Sequence, residues 1–144
     1  MIDSHCHIAG QEFVGDLAAV IQRAVVAGLS GALVIIAAED ETECARTHDV
    51  AALWPGVRFA FGVHPHAAST GGGEGGQVAR IVEDRLRGET RARAVGEIGL
   101  DYHYELSPRD VQQRVFREQI GLARRLGLPV VIHTREATED TFRI

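Results

Sequence analysis

Lysine is absent from this chain, and all fifteen basic residues are arginine. That excludes a Schiff-base lysine, the lysine of a phosphate-binding Walker loop, and any lysine-derived ligand bridging two metals. A bridging carboxylate must come from Asp or Glu. Cysteine is nearly absent too: Cys6 and Cys44 do not make a disulfide framework. No apolar run reaches about 18 residues, so no membrane span is expected. The N-terminus lacks a basic stretch followed by an apolar one, so no signal peptide is expected and the cytoplasm is the expected compartment. A net charge of -5 argues against a broad basic face for duplex nucleic acid, though not against a local groove.

What is present suits a globular protein. The chain has 144 residues, 45% hydrophobic and 24% charged, enough for one sizeable core, so residues 1–144 are read as one domain. Apolar runs alternate with helical patterns. Strands are expected at Ile2–Ile8, Gly31–Ala37, Val57–Val63, Ala94–Leu100 and Pro129–Thr134. Helices are expected at Phe13–Ala27, Glu41–Leu53, Gln77–Leu86 and from Ser107 to Gly127, with another beginning near Thr138. Ser107-Pro108-Arg109-Asp110 reads as a helix start, with Ser107 as cap and Asp110 aimed at free backbone amides. The glycine-rich stretch Gly71–Gly76 reads as a flexible connection. It lacks the lysine and hydroxyl residue of a phosphate loop. The βαβαβαβαβ order points to an α/β fold with a parallel sheet or barrel.

The polar residues fall at the strand ends. His5 and His7, in DSHCH, are one residue apart, so on a strand both rings project from the same face while Cys6 points away. Two neutral imidazoles converging in this way can ligate a divalent transition metal. His64 and His66 follow the third strand, Glu97 and Asp101 lie in and beyond the fourth, and His133 ends the fifth. In a β/α barrel the active site is built from such C-terminal strand ends. A carboxylate at Glu97 inside an apolar strand is costly unless it is paired or holds a metal.

The segments DSHCH, GVHPH, GEIGLDYH and the stretch from Gln112 through LPVVIHTREA resemble the TatD-type metal-dependent deoxyribonucleases of the amidohydrolase superfamily, from Ile2 essentially to the end of the chain. The resemblance implies a (β/α)8 TIM barrel with one to three divalent metals at its mouth. It also implies phosphodiester hydrolysis, typically at DNA 3′ ends. On this pattern His5 and His7 ligate one metal, Glu97 is the catalytic carboxylate bridging to a second, and His133 ligates that second metal. His64 contacts the substrate phosphate, and Asp101 and Arg135 stand behind the ligands or face the phosphate. The expected cofactors are two divalent ions, with Zn, Mn and Mg all compatible with this donor set. The expected partner is a DNA 3′ end, with no membrane.

A full barrel of this type needs about 250 residues and eight strands. This chain carries about five strands and four to five helices. It has no counterpart of the family's histidine after strand six or aspartate after strand eight, so the domain is expected to be incomplete at its C-terminus, a piece of a longer protein. Strands one and five would then be open edges that invite self-association. Two other readings remain open at this stage: an amide, lactone or phosphotriester hydrolase of the same superfamily, and an inactive truncated fragment. Cys6 is read as a small buried residue and His48 as a surface or interhelix residue. Tyr102 and Tyr104 are loop tyrosines able either to pack or to stack on a base. The arginines at 85, 87, 91 and 93 read as a solvated cluster.

Overall fold

Each strand is followed by helical structure that returns the chain to the same end of the sheet, so every strand runs parallel to its neighbour. The computed structural model describes residues 1–71 and 76–144. The strands are β1 (Ile2–Cys6), β2 (Gly31–Ala37), β3 (Arg58–Gly62), β4 (Ala92–Asp101) and β5 (Val130–Arg135), hydrogen-bonded in the order 1-2-3-4-5. A sequential order, with no reversal point, is that of a β/α barrel wall rather than of a doubly wound sheet. The helices are α1 (Leu17–Val26), α2 (Glu41–Leu53), α3 (Ala68–Gly71), α4 (Gln77–Gly88), α5 (Arg109–Leu126) and α6 (Thr138–Arg143). The middle of the glycine-rich connection, residues 72–75, lies outside the described residues.

The apolar run of β2 is continuous because both of its faces are covered. Val34 and Ile36 join Phe59, Phe61, Val95, Ile98 and Leu100 in a core against the helices. Ile35 packs with Ala60, Ala94, Leu33 and Val131 on the opposite, barrel-interior face. Helix α5 is amphipathic, buries Val115, Phe116, Leu122 and Ala123, and stops at Gly127, whose φ of 65° suits glycine. Among the described residues no helix is long and apolar enough to cross a membrane.

Three expectations need correction. The first helix begins at Leu17 rather than Phe13: residues Gln11–Phe13 form a separate 3-10 turn, and Gly15 sits in the break. A short extra helix, α3, follows the turn at Pro65–Ala67. Ser107 is not the cap of α5. The cap position is Pro108, and the Ser107 hydroxyl instead donates to the His66 carbonyl at 3.1 Å and accepts from the Ser69 N–H at 3.0 Å. A fully buried hydroxyl is worth more tying two loops together than serving a helix end that water can satisfy.

Two local devices shape the strand ends. In β4, Val95 and Ile98 both reach the helix-side core although they are three residues apart, a spacing that regular alternation forbids. The ladder to β5 slips between these residues, and the extra residue lets Glu97 face the barrel interior. At Gly99, φ is 149° and a Cβ would lie 1.9 Å from the His133 carbonyl oxygen. Only glycine lets β4 approach β5 this closely beside His133. The outer edges of β1 and β5 have no neighbouring strand among the described residues, and apolar side chains near them are exposed: Ile2 by 71% and Ile132 by 47%.

Candidate metal centre

Three donor atoms meet where the end of β1 faces the interior of β4. His5 Nε2 and His7 Nε2 are 3.1 Å apart, and Glu97 Oε2 is 3.4 Å from the first and 4.0 Å from the second. Four-coordinate sites with bonds of about 2.0–2.1 Å hold their donors about 3.3 Å apart, so these three atoms fit one cation. The other oxygen, Glu97 Oε1, is 3.3 Å from His133 Nδ1. Glu97 therefore gives one oxygen to each of two donor groups, His5–His7–Glu97 and His64–Glu97–His133. Its side chain is only 15% exposed, and the β4 irregularity is what turns it inward.

Asp101 ends β4, four residues beyond Glu97, with its side chain fully buried. Oδ2 accepts from His66 Nε2 at 2.9 Å and from His133 Nε2 at 3.0 Å, while Oδ1 accepts the backbone N–H groups of His103 at 3.0 Å and Tyr104 at 2.9 Å. Burial by itself pushes this carboxyl up, but the hydrogen bonds from the Tyr104 N–H, the His66 and His133 rings and the His103 N–H outweigh it. The net effect holds the group well below the usual carboxylate range. An ionised Asp101 accepts from His133 Nε2, and in a neutral ring so paired Nδ1, which faces Glu97, is the nitrogen left with a lone pair for a cation.

His64 lies against both His66 and His133, each with a ring centroid 4.4 Å away. Its Nδ1 accepts the His66 backbone N–H at 3.2 Å, which leaves the proton on Nε2. Burial, then the neighbouring His133 and His66 rings, lower its pKa to about 4, so it is a neutral hydrogen-bond donor at neutral pH. Arg135 does not reach the carboxylates: its guanidinium lies 4.6 Å over the ring of Tyr104, which is 52% exposed. The two loop tyrosines separate here. Tyr102 is packed, with Arg109 over its ring at 4.3 Å and its hydroxyl donating to Asp140 at 2.7 Å, and Tyr104 is left open beside His66.

His66 is the residue that sequence reasoning noted without giving it work. The available signal was that His64 and His66 repeat the i, i+2 spacing of His5 and His7. With Asp101 and His133, His66 forms a third group of close donors, here joined by hydrogen bonds. Cys6 is not in these groups. Its half-buried thiol points at the Leu33 carbonyl, away from the donor groups, and burial pushes its pKa up to about 11. His103 pairs with Glu136 at 2.9 Å in the adjoining loop, and His48 is exposed on α2.

Comparison with known proteins bears on family and fold. Residues 2–144 match the model of the TatD-related DNase family. The chain is 35% identical to the uncharacterized metal-dependent hydrolase YabD of Bacillus subtilis (strain 168), covering 100% of this chain and 54% of that protein. It is 36% identical to the 3′-5′ ssDNA/RNA exonuclease TatD of Cronobacter sakazakii, covering 95% of this chain and 50% of that protein. Among solved structures, the TatD homologue YJJV of Escherichia coli K12 superposes over 98% of this chain and 53% of its own, with a TM-score of 0.82 and 31% identity. A TatD family hydrolase of Entamoeba histolytica shares the fold, with a TM-score of 0.81 at 21% identity. The chain thus spans about half the length of the relatives it matches, and its five strands form half of their barrel.

Proposed function

Because this chain belongs to the TatD-related DNase family, we propose that it carries the metal-binding strand ends of a divalent-metal-dependent hydrolase cleaving phosphodiester bonds at the 3′ ends of nucleic acid. The observation that carries this reading is the division of Glu97 between two donor groups, with Oε2 on His5 and His7 and Oε1 on His133. Its exonuclease relatives are named for single-stranded DNA and RNA, which supports that substrate class.

In this reading His5, His7 and Glu97 hold one cation, and Glu97 and His133 hold a second. Bound divalent ions supply Lewis acidity toward a phosphoryl oxygen and lower the pKa of water near neutrality. Zn, Mn and Mg remain the candidate metals, because imidazole with carboxylate serves all three to different degrees. His64, neutral and carrying its proton on Nε2, donates a hydrogen bond to a phosphate oxygen. Asp101 acts through other residues, holding His133 and His66 in place from a fully buried position. Arg135 supplies positive charge at the rim, where its stacking on Tyr104 restrains it. The open edges of β1 and β5 are where further strands, or a second copy, would pair.

The test is a parallel assay of the metal-loaded protein on 5′-labelled single-stranded DNA, the same sequence as RNA, and a simple lactone. Progressive shortening of the oligonucleotides with no lactone opening is expected. Lactone turnover without phosphodiester cleavage would contradict the reading.

A further inference from the structure

Two glutamines on α5, Gln112 and Gln119, are fully buried beneath the site. They are seven residues apart, two turns of helix, and so share one face. Gln119 grips a single residue: its Oε1 accepts the Val63 N–H at 2.8 Å and its Nε2 donates to the Val63 carbonyl at 3.0 Å. Gln112 repeats the grip on Asp101, with Oε1 accepting the Asp101 N–H at 2.8 Å and Nε2 donating to its carbonyl at 3.0 Å. The same Nε2 donates to the Ser107 carbonyl at 2.8 Å, fastening the loop that leads from β4 into α5.

Buried backbone groups need partners, and that need would account for a glutamine at either place. The locations go further. Val63 is one residue past the end of β3 and immediately precedes His64, while Asp101 is the last residue of β4 and holds His133 and His66. Each amide pairs as the backbone of one more strand residue would, extending order past the point where β3 runs out of ladder. Fixing the peptide on both sides of its Cα restricts the directions in which the attached carboxylate can lie.

We propose that Gln112 and Gln119 are positioning residues of the metal centre: Gln112 sets the Asp101 carboxylate and, through it, the ligating nitrogen of His133, and Gln119 sets His64. The inference rests on the metal-centre reading above. It makes the two glutamines unequal in what they control, although they are equal in burial. Gln112 governs cation affinity and Gln119 governs substrate handling.

Co²⁺ is the probe, read by its d–d absorption and by isothermal titration, alongside thermal unfolding of each variant. Gln112→Met keeps the chain length and removes all three hydrogen bonds, and Co²⁺ should bind about tenfold or more weakly with an altered band, the scale expected for groups that orient ligands. Gln119→Met should leave Co²⁺ affinity within about twofold and lower the turnover of a small phosphodiester. If Gln112→Met does not fold, Gln112→Glu, which keeps the acceptor for the Asp101 N–H and loses the donors, should show the same weakening. A folded Gln112 variant with unchanged affinity and spectrum would overturn the proposal. So would equal weakening in both variants in step with lost stability. A parent protein that binds no Co²⁺ would instead overturn the metal-centre reading itself.

Discussion

Replacing Glu97 with alanine is expected to abolish phosphodiesterase activity and to cost more metal affinity than any other single change. Two of the three donor groups, His5–His7–Glu97 and His64–Glu97–His133, share Glu97, whose two oxygens face different histidines. Removing it leaves each cation with imidazoles alone and no negative charge to offset its own. Changes to groups that merely orient ligands cost about 10–100-fold in affinity. Loss of a shared carboxylate should exceed that range and reduce bound metal toward zero at micromolar protein. Glu97→Gln offers one neutral oxygen and should fall between the two. The measurement is metal content after dialysis, paired with the nuclease assay and with melting of the metal-free protein to show that the fold survives. Activity persisting in Glu97→Ala would remove Glu97 from the site.

Asp101→Asn is the second large effect, and it separates orientation from ligation. The Asp101 carboxylate accepts four hydrogen bonds from a position sealed from solvent. An asparagine has the same size but only one acceptor oxygen, and its amide hydrogens would face imidazole N–H groups. Metal affinity is expected to fall about 10–100-fold, and the metal-free protein should lose about 1–3 kcal/mol as paired buried donors lose their acceptor. The pH dependence has a definite sign. The folded carboxyl titrates below its ordinary value of 3.8, so its stabilisation is fully present above that value and is lost as pH falls through the lower folded one. The stability gap between parent and Asp101→Asn should therefore be widest between about pH 5 and 8 and close in strong acid, as read by chemical unfolding at a series of pH values. A gap that widened as the pH fell would contradict the assignment of Asp101 as a buried carboxylate.

Much of this arrangement was legible in the sequence because two periodicities carry it. Alternation on a strand puts His5 and His7 on one side, and their ring nitrogens do converge at 3.1 Å. The βαβ rhythm places His64, His133 and the carboxylates at one end of a parallel sheet, and the five strands occur where the apolar runs lie. What was not legible depends on departures from those periods. Nothing in GEIGL announces that the ladder slips between Val95 and Ile98, yet that slip turns Glu97 inward. Ser107 reads as a helix cap because serine before proline is a good one, and only the packing of the His66 loop against it claims its hydroxyl. Gln112 and Gln119 look like surface residues of an amphipathic helix. A glutamine satisfied by buried backbone leaves no mark in a pattern built on hydrophobicity. Asp101 was legible as a candidate and His66 was noted without a role, but their pairing with each other and with His133 was not, because the partners come from separate strands and loops.

The most direct measurement of the central claim, that His5, His7, Glu97 and His133 build a cation site, is the thermal unfolding of the protein in chelator and then in excess Mn²⁺ or Zn²⁺. A ligand at about 100 times its dissociation constant stabilises the native state by roughly 2.7 kcal/mol. For a domain of this size that corresponds to a rise of very roughly 5–15 °C in the midpoint. The account predicts a cooperative transition that moves up by this amount with metal, with the shift lost in His5→Ala and in His133→Ala. A cooperative transition that metal leaves unmoved, or a shift that survives both substitutions, would contradict it.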